Sequence, residues 1–227
     1  MRIFPLKAQV NGGQYSGDIT LDNRSSTPAV SMDEHLSGID VGQLLAKESK
    51  KLHLSGRGNV NLKATAHGAG ADAILKTLAG HFDTNVANGA VEGIDLGYEL
   101  GRAEALLRHQ DMPNVQNTKR TAFEALKMSA EIVNGVATTK DLVISSAVLK
   151  ITGQGSTNLP TEAVDFALMA DTMKTAGNVP IQIPVKITGT LTDPTVRPDV
   201  AALAQGELKQ KVKDVLQDKL KGLFGKP

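Results

Sequence analysis

The feature that most constrains the fold is an alternation of apolar and polar residues that recurs in short runs. In the clearest run, aliphatic side chains occupy every second position: Ile181, Ile183, Val185 and Ile187. Successive side chains of a strand point to opposite faces, so such a run buries one face of a sheet and leaves the other in water. The same period recurs over 6–10, 15–21 and 126–132. The sequence therefore predicts antiparallel strands with one apolar face.

Asparagine–glycine pairs separate several of these runs. Asn11-Gly12-Gly13 and Asn134-Gly135 each lie between two alternating segments, and Asn and Gly both tolerate the positive φ of tight hairpin turns. The same reasoning predicts a third hairpin at Asn88-Gly89. Near the end of the chain, Asp193-Pro194 and Arg197-Pro198-Asp199 are expected to stop the sheet.

Three aspartates precede short apolar patterns with helical spacing. Asp40 is followed three residues later by Gln43, as in a capping box, and predicts a helix to about residue 47. Asp72 is expected to cap a second helix, with Gly80 as its left-handed terminator. Asp95 precedes a third apolar stripe: Leu96, Leu100, Ala103 and Leu107.

Glycines inside the strand patterns predict bulges or bends: Gly56, Gly58, Gly153 and Gly155. From residue 200 the pattern becomes that of an amphipathic helix, either docked on the sheet or available to a partner or a membrane surface. We therefore expect an α+β fold, a mostly antiparallel curved β-sheet with a few short helices and a C-terminal amphipathic helix. The expected division is a β-rich domain over 1–199, with an optional sub-boundary at the loop 109–120, and the helix over 200–227.

Composition argues against several classes of function. The chain has 25 basic and 24 acidic residues, so it lacks the positive excess that nucleic-acid binding needs. Cysteine is absent, and the five histidines do not have metal-motif spacing. No phosphate-binding loop, nucleophile elbow or run of about 18 apolar residues for a membrane span is present. We therefore expect no enzymatic activity, no cofactor, no metal and no nucleic-acid partner.

What remains is an aliphatic surface without directional polar groups. Burying one CH₂ group is worth about 0.8 kcal/mol, so such a surface can hold an acyl chain without hydrogen bonds. The residues expected to contact lipid lie on the strands after Thr121: Leu126, Met128, Ile132, Leu142, Ile144, Phe166, Leu168, Ile181, Ile183, Val185 and Ile187. The alternative is that the same side chains form a closed core between sheet and helices. The alternation fits both arrangements.

A succession of motifs is more specific than any single one. From Thr121 the chain reads TAFEAL, VNGVATTKDLVISS, ITGQGSTNLP with Asp165 beyond it, and VPIQIPVKITGTLTDPTVRPD. HGAG, Leu78-Ala79-Gly80 and VANGAVEGIDL precede them. This order resembles the C-terminal domain of the AsmA family of bacterial envelope proteins, over roughly residues 52–200 and more weakly before them.

The resemblance implies the periplasmic portion of a protein anchored in the inner membrane of a Gram-negative bacterium. Because the chain opens directly inside a strand pattern, we expect it to be excised from a longer protein whose N-terminal helix makes the membrane contact. AsmA-like proteins are associated with outer-membrane biogenesis and with phospholipid movement along a β-groove. The resemblance thus implies a lipid-handling module whose partners are phospholipid acyl chains and other envelope proteins. The alternative is a cap domain that docks another envelope protein without holding lipid.

Overall fold

The protein is described by a computed structural model that covers residues 2–45, 53–107, 111, 114, 116–147, 149–172, 182–199 and 202. Over these residues, eleven strands form one sheet, and the order of strands in space is their order in the sequence. Every neighbouring pair is antiparallel. The strands are Arg2–Val10 (β1), Gly13–Asp22 (β2), Ala29–Asp40 (β3), His53–His67 (β4), Ala79–Glu92 (β5), Arg120–Val133 (β6), Val136–Ser145 (β7), Leu149–Asn158 (β8), Ala163–Thr172 (β9), Gln182–Thr190 (β10) and Pro194–Pro198 (β11). The predicted antiparallel sheet is confirmed.

Two of the three predicted hairpin turns are confirmed. Asn11 and Gly12 have φ values of 46° and 76°, and Asn134 and Gly135 have φ values of 49° and 74°. Both pairs adopt the left-handed conformation that a two-residue hairpin turn requires, and they connect β1 to β2 and β6 to β7. The predicted C-terminal helix over 200–227 lies outside the described residues apart from Ala202.

The third predicted hairpin, at Asn88-Gly89, is wrong. The residues on both sides of it belong to one strand, β5, which pairs with β4 and with β6. Asn88 takes φ 50° inside this strand, and the register with β4 slips between Ser55 and Arg57. One additional residue on β5 therefore makes a β-bulge, which bends the strand without reversing it.

The predicted end of the sheet is also wrong at Asp193-Pro194. This pair leads the chain from β10 into a further strand, β11, which pairs with β10 from Val185 to Gly189. The backbone nitrogen of Asp193 donates to the carbonyl of Thr190 at 3.2 Å and tightens the connection. Proline at the first position of a strand leaves the ladder intact because that position needs no inward donor.

The described residues contain three short helices, and two of the predicted caps are confirmed. The helices are Val41–Leu45 (α1), Ala71–Thr77 (α2) and Leu96–Leu107 (α3). The Asp40 carboxylate accepts hydrogen bonds from the backbone nitrogen and from Nε2 of Gln43, both at 3.1 Å. The Asp95 carboxylate accepts from the backbone nitrogen of Tyr98 at 2.9 Å. Each aspartate thus satisfies a donor at the start of its helix.

Helix α2 differs from the prediction at both ends. Its N-cap position is Gly70, and Asp72 lies in the first turn, where it pairs with Lys76 at 2.7 Å. The helix ends at Thr77, the C-cap residue Leu78 is extended, and Gly80 already belongs to β5. The predicted cap at Asp72 and the predicted terminator at Gly80 are therefore wrong, because strand pairing begins where a left-handed terminator was expected.

Cross-strand pairing collects apolar side chains on one side of the sheet, called here the apolar face. Partners in an antiparallel ladder project to the same side. One row crosses six strands, β5 to β10, with a partner from each: Val86, Leu126, Ile144, Ile151, Ala170 and Ile183. Buried side chains form a larger cluster that includes Ile39, Ile151 and Ile183, and a smaller one that includes Leu78 and Ile132. The core is thus the apolar face of a single sheet.

The opposite side, called here the polar face, carries hydrogen-bonded rows of side chains. Asn61 links two strands, because its Oδ1 lies 2.8 Å from Nδ1 of His35 and its Nδ2 donates to Asp83 at 2.8 Å. In the next row, Nδ2 of Asn59 donates to Oδ1 of Asn85 at 2.9 Å. Cross-strand pairs of this kind contribute roughly 0.2–1 kcal/mol each and reward the observed register.

Asp141 joins β6 to β7 where their backbone pairing is interrupted. Its carboxylate accepts from the backbone nitrogen and Oγ of Ser129, at 2.8 and 2.6 Å, and from Oγ1 of Thr139 at 3.0 Å. Regular pairing is absent between Lys127 and Glu131 of β6, so the carboxylate replaces a backbone acceptor. The hydrogen bonds from the Ser129 hydroxyl and backbone hold the pKa of Asp141 below its usual range.

Asp95 caps its helix and Asp72 does not, so removal of the two carboxylates is expected to lower stability by different amounts. Asp95→Ala removes a capping acceptor and is expected to lower the free energy of unfolding by about 1–2 kcal/mol. Asp72→Ala removes only an exposed i,i+4 ion pair, so its effect should stay within about 0.5 kcal/mol. Urea unfolding followed by circular dichroism measures both, and equal effects would contradict the assignment of caps.

Asp141 predicts a pH dependence of definite sign. Its pKa is lowered by folding, so its stabilisation is present above the usual carboxyl pKa of about 3.9 and is lost as the pH falls through the lower folded-state value. Asp141→Asn should reduce the free energy of unfolding at pH 7, and the gap to the parent chain should narrow as the pH falls below the usual carboxyl pKa of about 3.9. Urea unfolding across this range measures the gap.

The control for this series is Asp165→Asn, which removes an exposed carboxylate 3.6 Å from Lys186. Exposed pairs contribute little, so this variant should stay close to the parent chain at every pH. A gap for Asp141→Asn that is as large at pH 2 as at pH 7 would show that the carboxylate charge is not the cause.

Candidate functional site

The candidate site is the part of the apolar face formed by β5 to β11. Ten of the predicted lipid-contacting residues are described, and all ten project from this face; Ile181 lies outside the described residues. Six have at most 8% of their surface exposed: Leu126, Ile132, Leu142, Leu168, Ile183 and Val185. Four are partly buried against the larger cluster: Met128, Ile144, Phe166 and Ile187. The predicted residues are therefore brought together on one surface.

A small cavity lies in this surface. Its volume is about 80 Å³ and its lining is wholly apolar. Four of the predicted residues line it: Ile144, Leu168, Val185 and Ile187. Six further residues complete the lining: Val91, Ile94, Leu96, Ile151, Ala170 and Val196. The described side chains thus enclose a space without a single hydrogen-bonding group in its wall.

The lining of the cavity shows that the sheet curls strongly. Val91 belongs to β5 and Val196 to β11, six strands further along. Neighbouring strands lie about 4.8 Å apart, so these two residues would be roughly 29 Å apart in a flat sheet. Both line one cavity of about 80 Å³, and the apolar face is therefore concave.

Residues 93–96, called here the cover segment, lie over the cavity and lead into α3. Thr121 holds this segment: its Oγ1 donates to the carbonyl of Ile94 at 2.8 Å and accepts from the backbone nitrogen of Leu96 at 2.8 Å. Thr121 is only 7% exposed, so these two bonds satisfy a buried hydroxyl. The cover segment is therefore attached to the start of β6 by one side chain.

Asp95 fixes the same segment to the chain before β6. Its carboxylate accepts from the backbone nitrogen and Oγ1 of Thr118, at 3.0 and 2.5 Å. Burial acts to raise the pKa of Asp95, but the hydrogen bonds from Thr118 and from the backbone of Tyr98 outweigh it and lower the pKa. The carboxylate is therefore held in its charged form at neutral pH, at the start of the helix that follows the cover segment.

Two glycines of β8 shape the wall of the site. A Cβ atom at Gly153 would collide with Cδ2 of Leu168, and one at Gly155 would lie 2.5 Å from the ring of Phe166. The larger side chains of β9 therefore lean over the glycines of β8. The alternating pattern predicts a bend at these glycines, and the structure adds a packing reason for them.

Sequence reasoning missed part of the lining. Val196 was missed because β11 was not predicted as a strand. Leu96 was missed because it was assigned to the apolar stripe of α3, and Ile94 because it was assigned to the strand predicted after Asn88-Gly89. Ile151 carried a usable signal, since it alternates with the polar residues of its strand.

A larger depression, of about 710 Å³, lies on the polar face between β2 and β5. Asp33 is among its lining residues and pairs with Nε2 of His35 at 3.1 Å and with Nζ of Lys63 at 3.5 Å. The Asp33 carboxylate is thus paired with a neighbour in β3 and with one in β4, and the depression is broadly open to solvent. We therefore place the candidate site at the smaller cavity, despite the difference in volume.

One polar pair interrupts the apolar face on β2 and β3. Glu34 lies between Met32 and Leu36, and the Tyr15 hydroxyl donates to its Oε2 at 2.5 Å. The hydrogen bond to Glu34, with burial and the carboxylate charge, raises the pKa of Tyr15 to about 12. The phenol thus remains a donor at neutral pH. The sequence carried a signal for this pair, because the two-residue period puts Glu34 at an apolar position.

The described ranges contain no group of three or more His, Cys, Asp or Glu residues placed to hold a metal ion. No helix among them is both long enough and apolar enough to cross a membrane.

A known protein resembles this chain in sequence. It is 25% identical to Protein AsmA of Escherichia coli (strain K12) over 167 residues, which make up 73% of this chain and 27% of that protein. The chain thus spans about a quarter of the length of the curated relative that it matches. No solved structure matches it.

The model of the AsmA family matches residues 1–142, from the start of the chain into β7. The match includes the first 51 residues, where the resemblance of motifs is weaker, and ends before the closing motifs of β8 to β11. It covers more than half of the chain, and the chain therefore belongs to the AsmA family.

Proposed function

We propose that this chain is a non-enzymatic lipid-handling module that holds acyl chains against its concave apolar face and contributes to phospholipid transport and outer-membrane biogenesis. The observation that carries the proposal is the wholly apolar cavity lined from β5 to β11. Membership of the AsmA family points to a role connected with the bacterial envelope. The proposal includes a periplasmic location, a membrane anchor elsewhere in the protein, and contact with other envelope proteins.

The chemistry of the wall favours hydrocarbon over other ligands. A polar ligand would lose its hydrogen bonds to water and find no replacement in this wall, at a cost of roughly 1–3 kcal/mol per group. An acyl chain loses none and gains about 0.8 kcal/mol for each CH₂ group buried. The cavity therefore favours aliphatic ligands, because its wall offers no hydrogen-bonding groups.

The small volume of the cavity limits how much of an acyl chain it can hold. Ligand sites commonly have volumes of roughly 300 Å³ or more, so a cavity of about 80 Å³ takes only the end of an acyl chain. Displacing the cover segment breaks the two hydrogen bonds of Thr121, the two from Thr118 to Asp95 and the one from the backbone nitrogen of Gly93 to the carbonyl of Lys119, at about 1 kcal/mol each. Burial of about six further CH₂ groups offsets that cost.

A polar substitution in the lining tests the proposal. Ile187→Asn puts an amide into the wall, whereas Thr188→Asn puts the same side chain at the adjacent exposed position on the polar face. We expect the first to weaken binding of a fluorescent fatty acid about tenfold and the second to leave it unchanged. Circular dichroism establishes that both variants are folded. Equal affinities of both variants and the parent chain would contradict the proposal.

A second test of the proposal fills the cavity with apolar atoms instead of adding a polar group. Ala170 is 1% exposed and lines the cavity, so Ala170→Val places two methyl groups inside it. This variant should keep or raise the melting temperature while its affinity for the fatty acid falls, because the space is already occupied. Native mass spectrometry of the purified chain, with extraction of bound lipid, provides an independent measure. If a folded Ala170→Val chain binds the fatty acid as tightly as the parent chain, the acyl chain does not bind in this cavity.

A further inference from the structure

The pair formed by Tyr15 and Glu34 places a carboxylate among apolar side chains. Glu34 pairs across β2 with Gly17 and across β4 with Leu62, and Leu62 pairs with Phe82 of β5. These residues form one transverse row of the apolar face, so Glu34 lies beside surface of the kind that holds hydrocarbon. A charged group on such a surface requires a reason, because burial disfavours charge.

The backbone beneath the carboxylate is fitted to it. A Cβ atom at Gly17 would collide with Oε2 of Glu34 and would lie 2.7 Å from the Tyr15 hydroxyl. Only glycine therefore leaves room for the two side chains to meet. The Tyr15 hydroxyl then fixes one carboxylate oxygen by its hydrogen bond of 2.5 Å, and this leaves the other oxygen in a defined direction.

The second carboxylate oxygen, Oε1, is buried and has no hydrogen-bond partner among the described residues. Glu34 also forms no ion pair with a cation in the described part of the chain. A buried acceptor without a donor loses the hydration that it has in the unfolded chain. Oε1 is therefore an acceptor that no described donor satisfies.

We propose that Glu34 is a subsite for a primary ammonium group, and that the apolar face takes phospholipid with an ethanolamine headgroup. A primary ammonium group brings both a positive charge and N–H donors, so it satisfies Oε1 by a charge-assisted hydrogen bond. A choline headgroup carries the charge without an N–H donor, and a glycerol headgroup offers O–H donors without a positive charge to offset the Glu34 carboxylate. The attached chains would lie along Leu62 and Phe82. This inference rests on the proposed lipid-handling function.

Calorimetric titration with three short-chain phospholipids tests the subsite. The lipids carry identical acyl chains and differ only in their ethanolamine, choline or glycerol headgroup. The parent chain should bind the ethanolamine lipid at least about tenfold more tightly than the glycerol lipid, with the choline lipid between them. Glu34→Gln keeps an acceptor for Tyr15 but removes the charge, so it should bind the ethanolamine and glycerol lipids equally.

The matched control is Glu124→Gln, at an exposed position of β6, which changes net charge identically and should keep the preference. Gly17→Ala, which displaces the carboxylate, should reduce the preference in the same direction as Glu34→Gln. Free ethanolamine is titrated alongside: binding as tight as that of the lipid assigns the subsite to a soluble amine, and a requirement for acyl chains assigns it to lipid.

The two proposals fail in different ways. Equal affinity of the parent chain for all three lipids, or an unchanged preference in a folded Glu34→Gln chain, overturns the ammonium subsite and leaves the lipid-handling function standing. Failure of every lipid to bind the parent chain overturns both.

Discussion

Backbone pairing in sequence order, from β1 to β11, determines which side chains meet on each face of this sheet. Because partners in antiparallel ladders project to the same side, a single change of register would exchange the apolar and polar faces of a strand. The observed register forms the rows on the polar face, such as the one through Asn61, and it also forms the apolar row from Val86 to Ile183. Both kinds of row therefore stabilise the same pairing. The clusters, the cavity and the Glu34 pair all depend on this agreement.

Interruptions of the ladder give the sheet its curl. Bulges increase local twist and bend a strand. Register shifts occur between β4 and β5, near Asn88, and between β6 and β7, where the Asp141 carboxylate takes over as acceptor. Without such bends, β5 and β11 would be too far apart to line one cavity. The concave face thus depends on positions where regular pairing fails and a side chain or a positive φ compensates.

Local patterns predicted strand identity well, but they did not predict how a pattern would be used. Asn134-Gly135 and Asn88-Gly89 are the same dipeptide, yet only the first makes a hairpin. At the second, the flanking strands β4 and β6 are long enough to pair with residues on both sides, so a bulge keeps ladder bonds that a turn would lose. Long-range pairing of this kind is not encoded in the dipeptide.

The site was predictable to a similar extent. Alternation identified Ile183 and Val185 as members of an apolar row, but the covering by Ile94 and Leu96 depends on a hydroxyl at Thr121 that no periodicity reveals. Glu34 is a charged residue at a position where the two-residue alternation calls for an apolar one, and it was overlooked for that reason. Departures from a regular pattern were here more informative about chemistry than the pattern itself.

The composition of β11 bears on the behaviour of the protein at high concentration. β11 pairs on one side with β10, has five residues, and both begins and ends with proline, at Pro194 and Pro198. It therefore offers few free donors to another chain. Growth of the sheet by addition of a second molecule along this strand is disfavoured for that reason.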